Sequence, residues 1–457
     1  MARTVDVVVI GTGPGGEAIA GQLAEAGLEV VAVEKHLVGG ECPYYGCIPS
    51  KMVIRAADAL TEGRRIPELA GSSAVVSDFS VVAERVRTQA TDDWNDRVAV
   101  ERLEGKGCTV IHGTATLAGA NLVTVGGEEF TVRRAIVLNT GTSPAVPPIP
   151  GLADTPYWTN RDVLQTRTAP TALAVIGGGA IGLELAQAFA RFGTAVHVIE
   201  TSPRLLAVEE PESSDLLNRV LGGEGVAIHT QAQVERVGYA DGTFTVTLAD
   251  LEITADRLLV AAGRRTNLAD LGLETIGLDP ASRFLDPDEH MVIAPGVYAI
   301  GDITGKGGFT HMSMYQSAIA ARHILGQGGT GAEYHAVPRV TFTDPEVGAV
   351  GMTEMQARDA GLDVTTSITQ VADSTRGWIH GPGNDGFLKL VAADGVLVGA
   401  TSAGPTGGEV LSLLALAVHA RIPVARIREM IFAYPTVHRA IESALAGLPG
   451  AADGPQG

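Results

Sequence analysis

Two cysteines that lie close together in the chain are the residues best suited to redox chemistry. Cys42 and Cys47 are separated by four residues, and the chain has one other cysteine, Cys108. In an ideal α-helix this spacing puts the two Cα atoms more than ~7 Å apart, beyond the reach of a disulfide. A bridge would need a local distortion, which Gly46 and the prolines at positions 43 and 49 permit. The spacing alone leaves open two unrelated buried thiols.

Two glycine loops are the second chemical feature, and each follows a predicted strand and opens a predicted helix. The first loop and the acidic end of its second strand comprise Gly11, Gly13, Gly15, Gly16 and Glu34. The pattern repeats at a constant offset of 166 residues, in Gly177, Gly179, Ile181, Gly182 and Glu200.

The chemistry of such a loop follows from its lack of side chains. Glycine lets the backbone approach a pyrophosphate, and the N-terminus of the helix that follows stabilises the negative charge. A carboxylate at the end of the next strand accepts hydrogen bonds from a ribose. One loop is a weak signal, but two copies in the same strand–loop–helix context predict two bound dinucleotides.

Composition limits the classes of function. The length of 457 residues predicts roughly three domains. The formal net charge of -19 argues against nucleic-acid binding, which needs a basic face. No apolar run reaches the ~18 residues that span a bilayer, and no signal-peptide pattern is found, so we expect a cytoplasmic protein without a membrane span. A zinc site at the cysteine pair is disfavoured because further ligands are lacking nearby.

Together these motifs resemble the pyridine nucleotide-disulfide oxidoreductases, the flavoprotein family of dihydrolipoamide dehydrogenase, glutathione reductase and mercuric reductase. The resemblance covers nearly the whole chain in order. Beyond the loops and the cysteines, it rests on Thr140 and Gly141, on residues 261–265, which include Gly263, and on residues 298–302, which end in Asp302.

The resemblance implies an α/β fold with two Rossmann-like dinucleotide-binding domains and a C-terminal α+β dimerisation domain. The FAD-binding domain would comprise residues 1–147 and 267–334, the NAD(P)-binding domain residues 148–266, and the dimerisation domain residues 335–457. Alternating strands and a helix after residue 335 independently favour an α+β arrangement there. We therefore expect a homodimer that binds FAD and a nicotinamide dinucleotide.

The family also implies roles for single residues. In it the first loop, Glu34, Thr140 with Gly141, and Asp302 hold FAD, and a helix that starts near His311 faces the flavin. Electrons pass from the nicotinamide through FAD to the cysteine disulfide.

Within the redox segment, the resemblance assigns exchange with substrate to Cys42 and contact with the flavin to Cys47. Lys51 would lie near the flavin and pair with Glu184, for which an exposed helix carboxylate is the alternative. A helix N-terminus and Lys51 would both favour thiolates here.

Glu200 bears on the choice of nucleotide. A carboxylate at this strand end accepts a hydrogen bond from a free 2′-hydroxyl and repels a 2′-phosphate, so NADH is favoured over NADPH. Arg204 is either a phosphate contact or an ordinary surface charge.

The C-terminal region departs from the family, whose disulfide reductases carry His-Pro with a glutamate five residues after the histidine. That dyad protonates the departing thiol. Here Tyr434, before Pro435, and Arg439 occupy the two positions. A tyrosine with an ordinary pKa near ~10 is a poor proton shuttle at neutral pH. His438, with Glu442 one helical turn later, offers an alternative donor, but it is displaced by ~6 Å along a helix.

A second departure lies between the cysteines, where Tyr44 and Tyr45 follow a proline. With Tyr434 and Trp378 they could build an aromatic pocket for a planar acceptor such as a quinone, and ordinary packing at a dimer interface is the alternative. The C-terminal cysteine pair that binds metal in mercuric reductases is missing, which disfavours mercury reduction.

Three hypotheses follow. The leading one is an FAD-dependent NAD(P)H oxidoreductase that passes electrons to a small acceptor, a quinone, with Cys42 and Cys47 as a redox pair. The second is a disulfide reductase or dihydrolipoamide dehydrogenase with a rearranged proton donor. The third, a flavin-bearing binding or scaffold subunit, is disfavoured because both nucleotide loops look intact.

Overall fold

The structure, a computed structural model, describes residues 3–449, which form two compact units. The first unit comprises residues 3–50, 84–145 and 263–334. The second comprises residues 51–83, 146–262 and 335–449. This grouping differs from the three predicted domains, whose boundaries stay a prediction.

A largely parallel sheet is the centre of the first unit. Its central strands are runs of Val, Ile, Leu and Ala that are buried, as expected where helices cover both faces of a parallel sheet. In spatial order the strands are Val292–Ala294, Val297–Ala299, Glu128–Leu138, Arg3–Ile10, Val30–Glu34 and Thr109–His112. Strand Leu122–Val125 pairs with Glu128–Leu138 and with Ala115–Gly119, which completes an eight-stranded sheet.

The helices of the first unit begin close to the predicted motifs. Pro14 opens the helix after the first glycine loop, where its missing N–H costs nothing. The helices are Pro14–Glu25, Glu41–Tyr45, Arg97–Gly105 and Thr310–Ile324, with a π-helical turn at Val86–Ala90 and 3₁₀ turns at Leu273–Ile276 and Gly301–Thr304. Strands Thr142–Pro144 and Arg264–Thr266 form a separate antiparallel pair. Helices Cys47–Leu69 and Phe79–Arg85 each extend from one unit into the other.

The second unit contains another parallel sheet, of four strands. In spatial order they are Ala227–His229, Ala195–Ile199, Ala172–Ile176 and Arg257–Val260. Beside them in the chain is a three-stranded antiparallel sheet of Arg236–Ala240, Thr243–Thr247 and Glu252–Ala255. The helices of this part are Asn160–Gln165, Ala180–Arg191 and Pro211–Gly223, with a 3₁₀ turn at Leu152–Asp154.

An antiparallel sheet forms the C-terminal part of the second unit. Its five strands, in spatial order, are Pro338–Thr341, Glu346–Gly351, Val396–Gly404, Phe387–Ala393 and Thr365–Gln370. Apolar faces of Gly407–His419 and His438–Ala446 share a core with the sheet. The other helices are Glu354–Asp359, Thr375–His380 and Val424–Arg428. The predicted α/β class, with two parallel nucleotide-type sheets and an α+β C-terminal part, is confirmed.

The helix that follows the second glycine loop is tied along one face to residues 342–344. Glu184 Oε1 accepts a hydrogen bond from Phe342 N at 2.8 Å. The Gln187 amide donates to the Asp344 carbonyl at 2.7 Å and accepts from the Asp344 N–H at 2.8 Å. Because residues three and four positions apart share a helix face, these side chains and that of Arg191 act on the same segment.

The guanidinium of Arg191, on the same helix, is almost completely buried. Its side chain is 2% exposed and lies 2.6 Å from Asp58, 2.6 Å from Glu224 and 2.8 Å from Asp344. Three carboxylates offset the cost of burying the guanidinium. Its loss would remove the ion pairs of Asp58 and Glu224 with Arg191, whereas Asp344 would keep its contact with Arg65 at 3.1 Å. The helix that carries Glu184 is therefore anchored at its C-terminal end.

Asp58 should make the stability of the protein depend on pH. Burial raises the pKa of Asp58 from 3.8 to about 6, with Asp344 adding to the rise and Arg191 opposing it. Because the folded-state pKa is the higher one, the stability contributed by protonated Asp58 is present below about pH 4 and is lost as pH rises through about 6.

We therefore expect Asp58→Asn, which cannot titrate, to gain stability relative to wild type between about pH 4 and 6. Chemical denaturation of both proteins from pH 4 to 8 measures this difference. Asp215→Asn, on an exposed position of helix Pro211–Gly223, is the matched control. A stability difference between Asp58→Asn and wild type that is constant across this range would contradict the prediction.

Candidate active site

Close backbone contacts explain the glycines of both loops. A Cβ at Gly16 would lie 2.0 Å from the carbonyl oxygen of Gly11, and one at Gly182 would lie 2.1 Å from that of Gly177. These distances exclude any side chain. A Cβ at Gly179 would meet no described atom within 4 Å, so the backbone is open to a ligand there.

The remaining predicted loop residues have different surroundings. A Cβ at Gly15 would lie 2.0 Å from the Ser313 hydroxyl, so Gly15 serves helix packing. A Cβ at Gly13 would lie 3.4 Å from the Asn139 amide nitrogen, an ordinary contact. Ile181, which matches Gly15 in the repeat, is 38% exposed and makes no equivalent close packing.

Glu34 holds the first glycine loop through backbone N–H groups. Its Oε2 accepts from the N–H and the hydroxyl of Thr12, at 2.8 and 2.9 Å, and its Oε1 accepts from the His36 N–H at 2.8 Å. The carboxylate is buried at the end of its strand. It is thus fixed against the loop that a dinucleotide would approach.

Glu200 repeats this arrangement at the same offset. Its Oε2 accepts from the Gly178 N–H at 2.6 Å and its Oε1 from the Ser202 N–H at 2.7 Å. Burial works to raise the pKa of Glu200, but these donors outweigh it and lower the pKa, so the group is a carboxylate at neutral pH. The internal repeat is therefore present in the hydrogen bonds as well as in the sequence.

Arg204 is engaged by its own loop. Its guanidinium donates to the carbonyls of Leu206 and Ala207 at 3.3 and 2.8 Å, and to the Ser214 hydroxyl at 3.0 Å. These bonds direct the guanidinium to the backbone, which favours an ordinary charge of the loop over a phosphate contact.

Thr140 provides a test of whether the first loop suits a dinucleotide. Its Cα lies 3.1 Å from the position of a Cβ on Gly11, and its hydroxyl oxygen is buried without a hydrogen-bond partner among residues 3–449. Buried hydroxyls are normally satisfied, so a ligand that supplies the partner would complete this one. The residues present therefore fit FAD, the group that the resemblance implies.

A chain of polar side chains runs through Asp302. The Thr142 hydroxyl donates to Asp302 Oδ2 at 2.6 Å, and Arg264 donates to the Thr142 hydroxyl at 2.7 Å and to its carbonyl at 2.8 Å. Arg264 also lies 3.4 Å from Glu41, next to Cys42. Sequence reasoning missed Thr142, Arg264 and Glu41. Their only signal was their position beside the predicted motifs.

The other predicted cofactor residues lie at turns of the same unit. Gly141, at φ +64°, accepts from the Asn267 N–H at 3.0 Å, and Gly263, at φ +103°, accepts from the Ala145 N–H at 2.9 Å. His311 is in the first turn of helix Thr310–Ile324, and its ring stacks on that of Phe309 at 5.2 Å.

The helix is interrupted between the two cysteines, which is the distortion that their spacing requires. Helix Glu41–Tyr45 ends at Gly46, whose φ and ψ are -138° and -117°, and Cys47 begins the next helix. Both cysteines are free thiols, hydrogen-bonded to each other, and Cys47 Sγ lies 3.4 Å from Thr310 Oγ1. The structure thus brings together the pair that the sequence singles out.

Cys42 holds its proton more tightly than an ordinary thiol, because its pKa is raised. Its hydrogen bond with Cys47, followed by burial, raises the pKa of Cys42 far above its ordinary value, and a hydrogen bond with Thr310 only partly opposes this. These contacts favour the thiol form of Cys42, whereas the sequence analysis expected local charges to favour thiolates. The roles of the two cysteines stay a prediction.

In the second unit Lys51 and Glu184 form the pair that the resemblance implies. Lys51 Nζ lies 2.7 Å from Glu184 Oε2, and the Glu184 side chain is 6% exposed. Lys51 also lies 4.6 Å from the centroid of the Phe342 ring. Glu184 is therefore a buried, bonded carboxylate, and the alternative of an exposed helix carboxylate is wrong.

In the C-terminal segment, as far as residue 449, Glu442 pairs with an arginine and not with a histidine. Glu442 Oε2 bonds Arg439 Nε at 2.9 Å, so Glu442 orients Arg439, whereas the sequence analysis suggested that it orients His438. The Arg439 guanidinium lies 5.7 Å from the Tyr434 ring centroid. The Tyr434 hydroxyl meets the Thr375 hydroxyl at 3.5 Å, the outer limit of a hydrogen bond.

The suggested aromatic pocket stays a prediction, and its members differ in exposure. Tyr44 is 6% exposed, and burial raises its pKa to about 12, so its ring belongs to the core and does not line an open surface. Trp378, at 77%, and Tyr434, at 64%, are exposed. Trp378 lies in helix Thr375–His380, which also supplies the hydroxyl beside Tyr434.

The sequence predicted neither a metal site nor a membrane span. Within residues 3–449 no group of three or more His, Cys, Asp or Glu side chains is arranged to hold a metal ion. Over the same residues, every helix is too short or too polar to span a bilayer.

Comparison with known proteins agrees with the geometry. A family model described as pyridine nucleotide-disulphide oxidoreductase matches residues 5–323, and the model of that family's dimerisation domain matches residues 337–445. A mercuric reductase from Shigella flexneri is 36% identical over 450 residues, which cover 94% of this chain and 78% of the relative. A dihydrolipoyl dehydrogenase from Geobacillus stearothermophilus is 33% identical over 468 residues, covering 98% and 97%.

A solved structure has the same architecture. The HOCl-induced flavoprotein disulfide reductase RclA from Escherichia coli superimposes with a TM-score of 0.85 at 28% identity, over 96% of this chain and 99% of that one. Two glycine loops, a cysteine pair at a helix break and family models that match most of the chain lead to one conclusion. The chain belongs to the pyridine nucleotide-disulfide oxidoreductase family and is an FAD-dependent enzyme that uses a pyridine nucleotide.

Proposed function

We propose that this enzyme passes electrons from NADH through FAD to a small planar acceptor of the quinone class. The acceptor takes them from the flavin directly, and Cys42 and Cys47 form a redox pair beside it that quinone reduction does not require. The observation that carries the proposal is the replacement of the thiol-protonating dyad by Tyr434 and Arg439. Bound FAD would supply the transfer of an electron pair from the nicotinamide.

The chain's own residues favour an acceptor that needs no thiol exchange. A disulfide substrate requires a Cys42 thiolate to attack it and an acid to protonate the thiol that leaves. The pKa of Cys42 is raised, and the phenol at position 434 is a poor proton shuttle whose hydroxyl meets the Thr375 hydroxyl at 3.5 Å. General acid–base help is worth roughly 10²–10⁴ in rate. A quinone can take its protons from water and avoids this cost.

An aromatic surface for such an acceptor is available near Tyr434. Tyr434 and Trp378 are both largely exposed. Trp378 lies in helix Thr375–His380, and the Tyr434 hydroxyl meets the Thr375 hydroxyl of the same helix. Aromatic rings favour planar ligands by offset stacking.

The same region supports a homodimer. Ile431 is 96% exposed within the part of the chain that matches the dimerisation-domain model, together with the half-exposed Met430. Exposed apolar residues of this kind mark surfaces that another protein covers. A second copy of this chain is the partner we propose.

A disulfide reductase is the second candidate. The observation in its favour is the dithiol itself: two hydrogen-bonded thiols at a helix break, with the hydroxyl of Thr310 at 3.4 Å from Cys47. The third hypothesis, a non-catalytic flavin-bearing subunit, is set aside because the chain belongs to an enzyme family.

The preference for NADH is argued from Glu200. Its carboxylate is fixed by two backbone donors at the strand end where an adenosine ribose would lie, and Arg204 is directed to backbone carbonyls. A 2′-phosphate would thus meet a negative charge.

The first prediction concerns the cysteines. For Cys42→Ser, we expect NADH-dependent reduction of menadione to stay within about threefold of wild type, because FAD can reduce a quinone directly. Lipoamide reduction, assayed in parallel, should be negligible in both proteins. Cys108→Ala, a core thiol far from the segment in sequence, is the matched control. If Cys42→Ser abolishes substantial lipoamide turnover and quinone turnover is negligible, the disulfide reductase is the correct assignment.

The second prediction restores the dyad. The double substitution Tyr434→His with Arg439→Glu should raise lipoamide turnover by at least about tenfold, since it supplies part of the 10²–10⁴ of general acid–base catalysis. Quinone turnover should fall by no more than about threefold, because the imidazole keeps an aromatic ring at position 434 for stacking. Tyr434→Phe removes only the hydroxyl and is the control. A loss of quinone turnover of about a hundredfold in that control would mean that Tyr434 itself delivers a proton.

The third prediction concerns the nucleotide. Glu200→Gln should shift the ratio of kcat/KM for NADPH to that for NADH upward by at least about tenfold, because like charges near a protein surface repel by several kcal/mol. Glu34→Gln makes the same change in the first loop, and we expect it to weaken FAD retention without moving the ratio. An unchanged ratio in Glu200→Gln would contradict the assignment of Glu200.

A further inference from the structure

A left-handed turn lies in the unit that contains the cysteine pair. Asp92, Asp93 and Trp94 have φ angles of +47°, +57° and +56° in succession. In this conformation a Cβ crowds the following carbonyl, so three such residues in a row need contacts that hold them. They follow the π-helical turn Val86–Ala90, and both π turns and strained residues are frequent at functional sites.

Thr91 fixes the start of this turn. It is 1% exposed, and its hydroxyl donates to the carbonyls of Val86 and Arg87, each at 3.1 Å. The Asn95 N–H donates back to the carbonyls of Thr91 and Asp92 at 3.3 and 3.1 Å. The turn is therefore closed on itself and projects the side chains of residues 94 and 96 in fixed directions.

Trp94 reaches the short helix that carries Cys42. Its indole N–H donates to the Tyr44 carbonyl at 3.2 Å. Carbonyls in the last turn of a helix lack intrahelical partners, and helix Glu41–Tyr45 ends at Gly46, immediately before Cys47. Trp94 thus supplies a donor at the interruption that separates the two cysteines.

Asp96 holds the other end of the same segment. Its Oδ2 accepts from the Val38 N–H at 2.8 Å and lies 2.8 Å from His112 Nε2. Val38 precedes Gly39 and Gly40, both at positive φ, which lead into the helix of Cys42. The turn therefore binds the backbone before and after Cys42.

We propose that the turn 92–96 is a positioning element that holds the helix interruption at Gly46, through Trp94, and so keeps Cys42 and Cys47 in a geometry from which they close a disulfide. The inference rests on the proposed redox role of this pair. Without the indole donor, the reduced segment is free to approach a continuous helix, in which the two Cα atoms are more than ~7 Å apart. Closing the disulfide would then cost more conformational entropy.

The test measures the dithiol–disulfide equilibrium of the FAD-bound enzyme in dithiothreitol redox buffers. The two states are quantified by alkylation and mass spectrometry, without NADH or an electron acceptor. Oxidation removes two electrons and two protons from the cysteines as one S–S bond forms, and oxidised dithiothreitol is reduced to its dithiol. For Trp94→Phe, we expect the equilibrium to shift about fivefold toward the dithiol, the size of one neutral hydrogen bond. For a two-electron couple this is about 20 mV.

Trp158→Phe makes the same chemical change in the second unit, and we expect its equilibrium to match wild type. Asp96→Asn weakens the other attachment and should shift the equilibrium in the same direction as Trp94→Phe. An equilibrium within twofold of wild type in Trp94→Phe overturns the positioning role, even if its melting temperature falls, since that would be a purely structural effect. A wild-type pair that never closes in any buffer also overturns it.

The outcome is distinguishable from failure of the proposed function. A protein that reduces no quinone can still show the shift, because no acceptor enters the measurement. Conversely, an unchanged equilibrium in Trp94→Phe leaves the identity of the acceptor untouched.

Discussion

Both nucleotide loops depend on a carboxylate at the end of the neighbouring strand. Glu34 and Glu200 each accept two backbone N–H groups, one from the loop and one from the residue two positions after the carboxylate itself. A charged acceptor shared by two donors makes strong hydrogen bonds in a site sheltered from water. The loop is thereby held against the strand edge before any ligand binds. In each loop, a close contact between a glycine and a backbone carbonyl, at Gly16 and at Gly182, also excludes a side chain.

The segment that contains Cys42 and Cys47 depends on a different constraint, the interruption of a helix. Gly46 breaks the helix and sets Cys47 at the start of the next one. A break leaves carbonyl groups without partners, and in a half-buried segment such groups need donors from elsewhere. The bond from Trp94 to Tyr44 is one such donor, and it comes from a part of the chain fifty positions away. Redox geometry at Cys42 is therefore a tertiary property, although the cysteines themselves are close in sequence.

Much of the fold and of the nucleotide sites could be predicted, because their signals are local. A strand, a glycine loop and an acidic strand end lie within about thirty residues, and the constant offset between Glu34 and Glu200 indicates a repeat. The cysteine spacing predicted a distortion as the condition for a disulfide, and the structure has a helix break at Gly46. The link of Arg264 through Thr142 to Asp302 and the contact of Trp94 were not, because they join distant segments through single bonds. The Lys51–Glu184 pair was expected only from family resemblance, because the spacing of these two residues in the sequence does not indicate a contact.

The two ends of the electron path differ in how far they follow the family. The loops, the cysteines and the Lys51–Glu184 pair match what the family resemblance implies for a path that ends in reduction of the cysteine disulfide. At the C-terminal segment, Arg439 is bonded to Glu442 and faces the Tyr434 ring. The position of the glutamate that orients the acid in the family is thus occupied by an arginine beside a phenol. The raised pKa of Cys42 makes this change consequential, because a thiol that keeps its proton depends most on an external base. For a disulfide substrate, loss of the dyad and the raised pKa of Cys42 would act in the same direction, since each would slow thiol exchange.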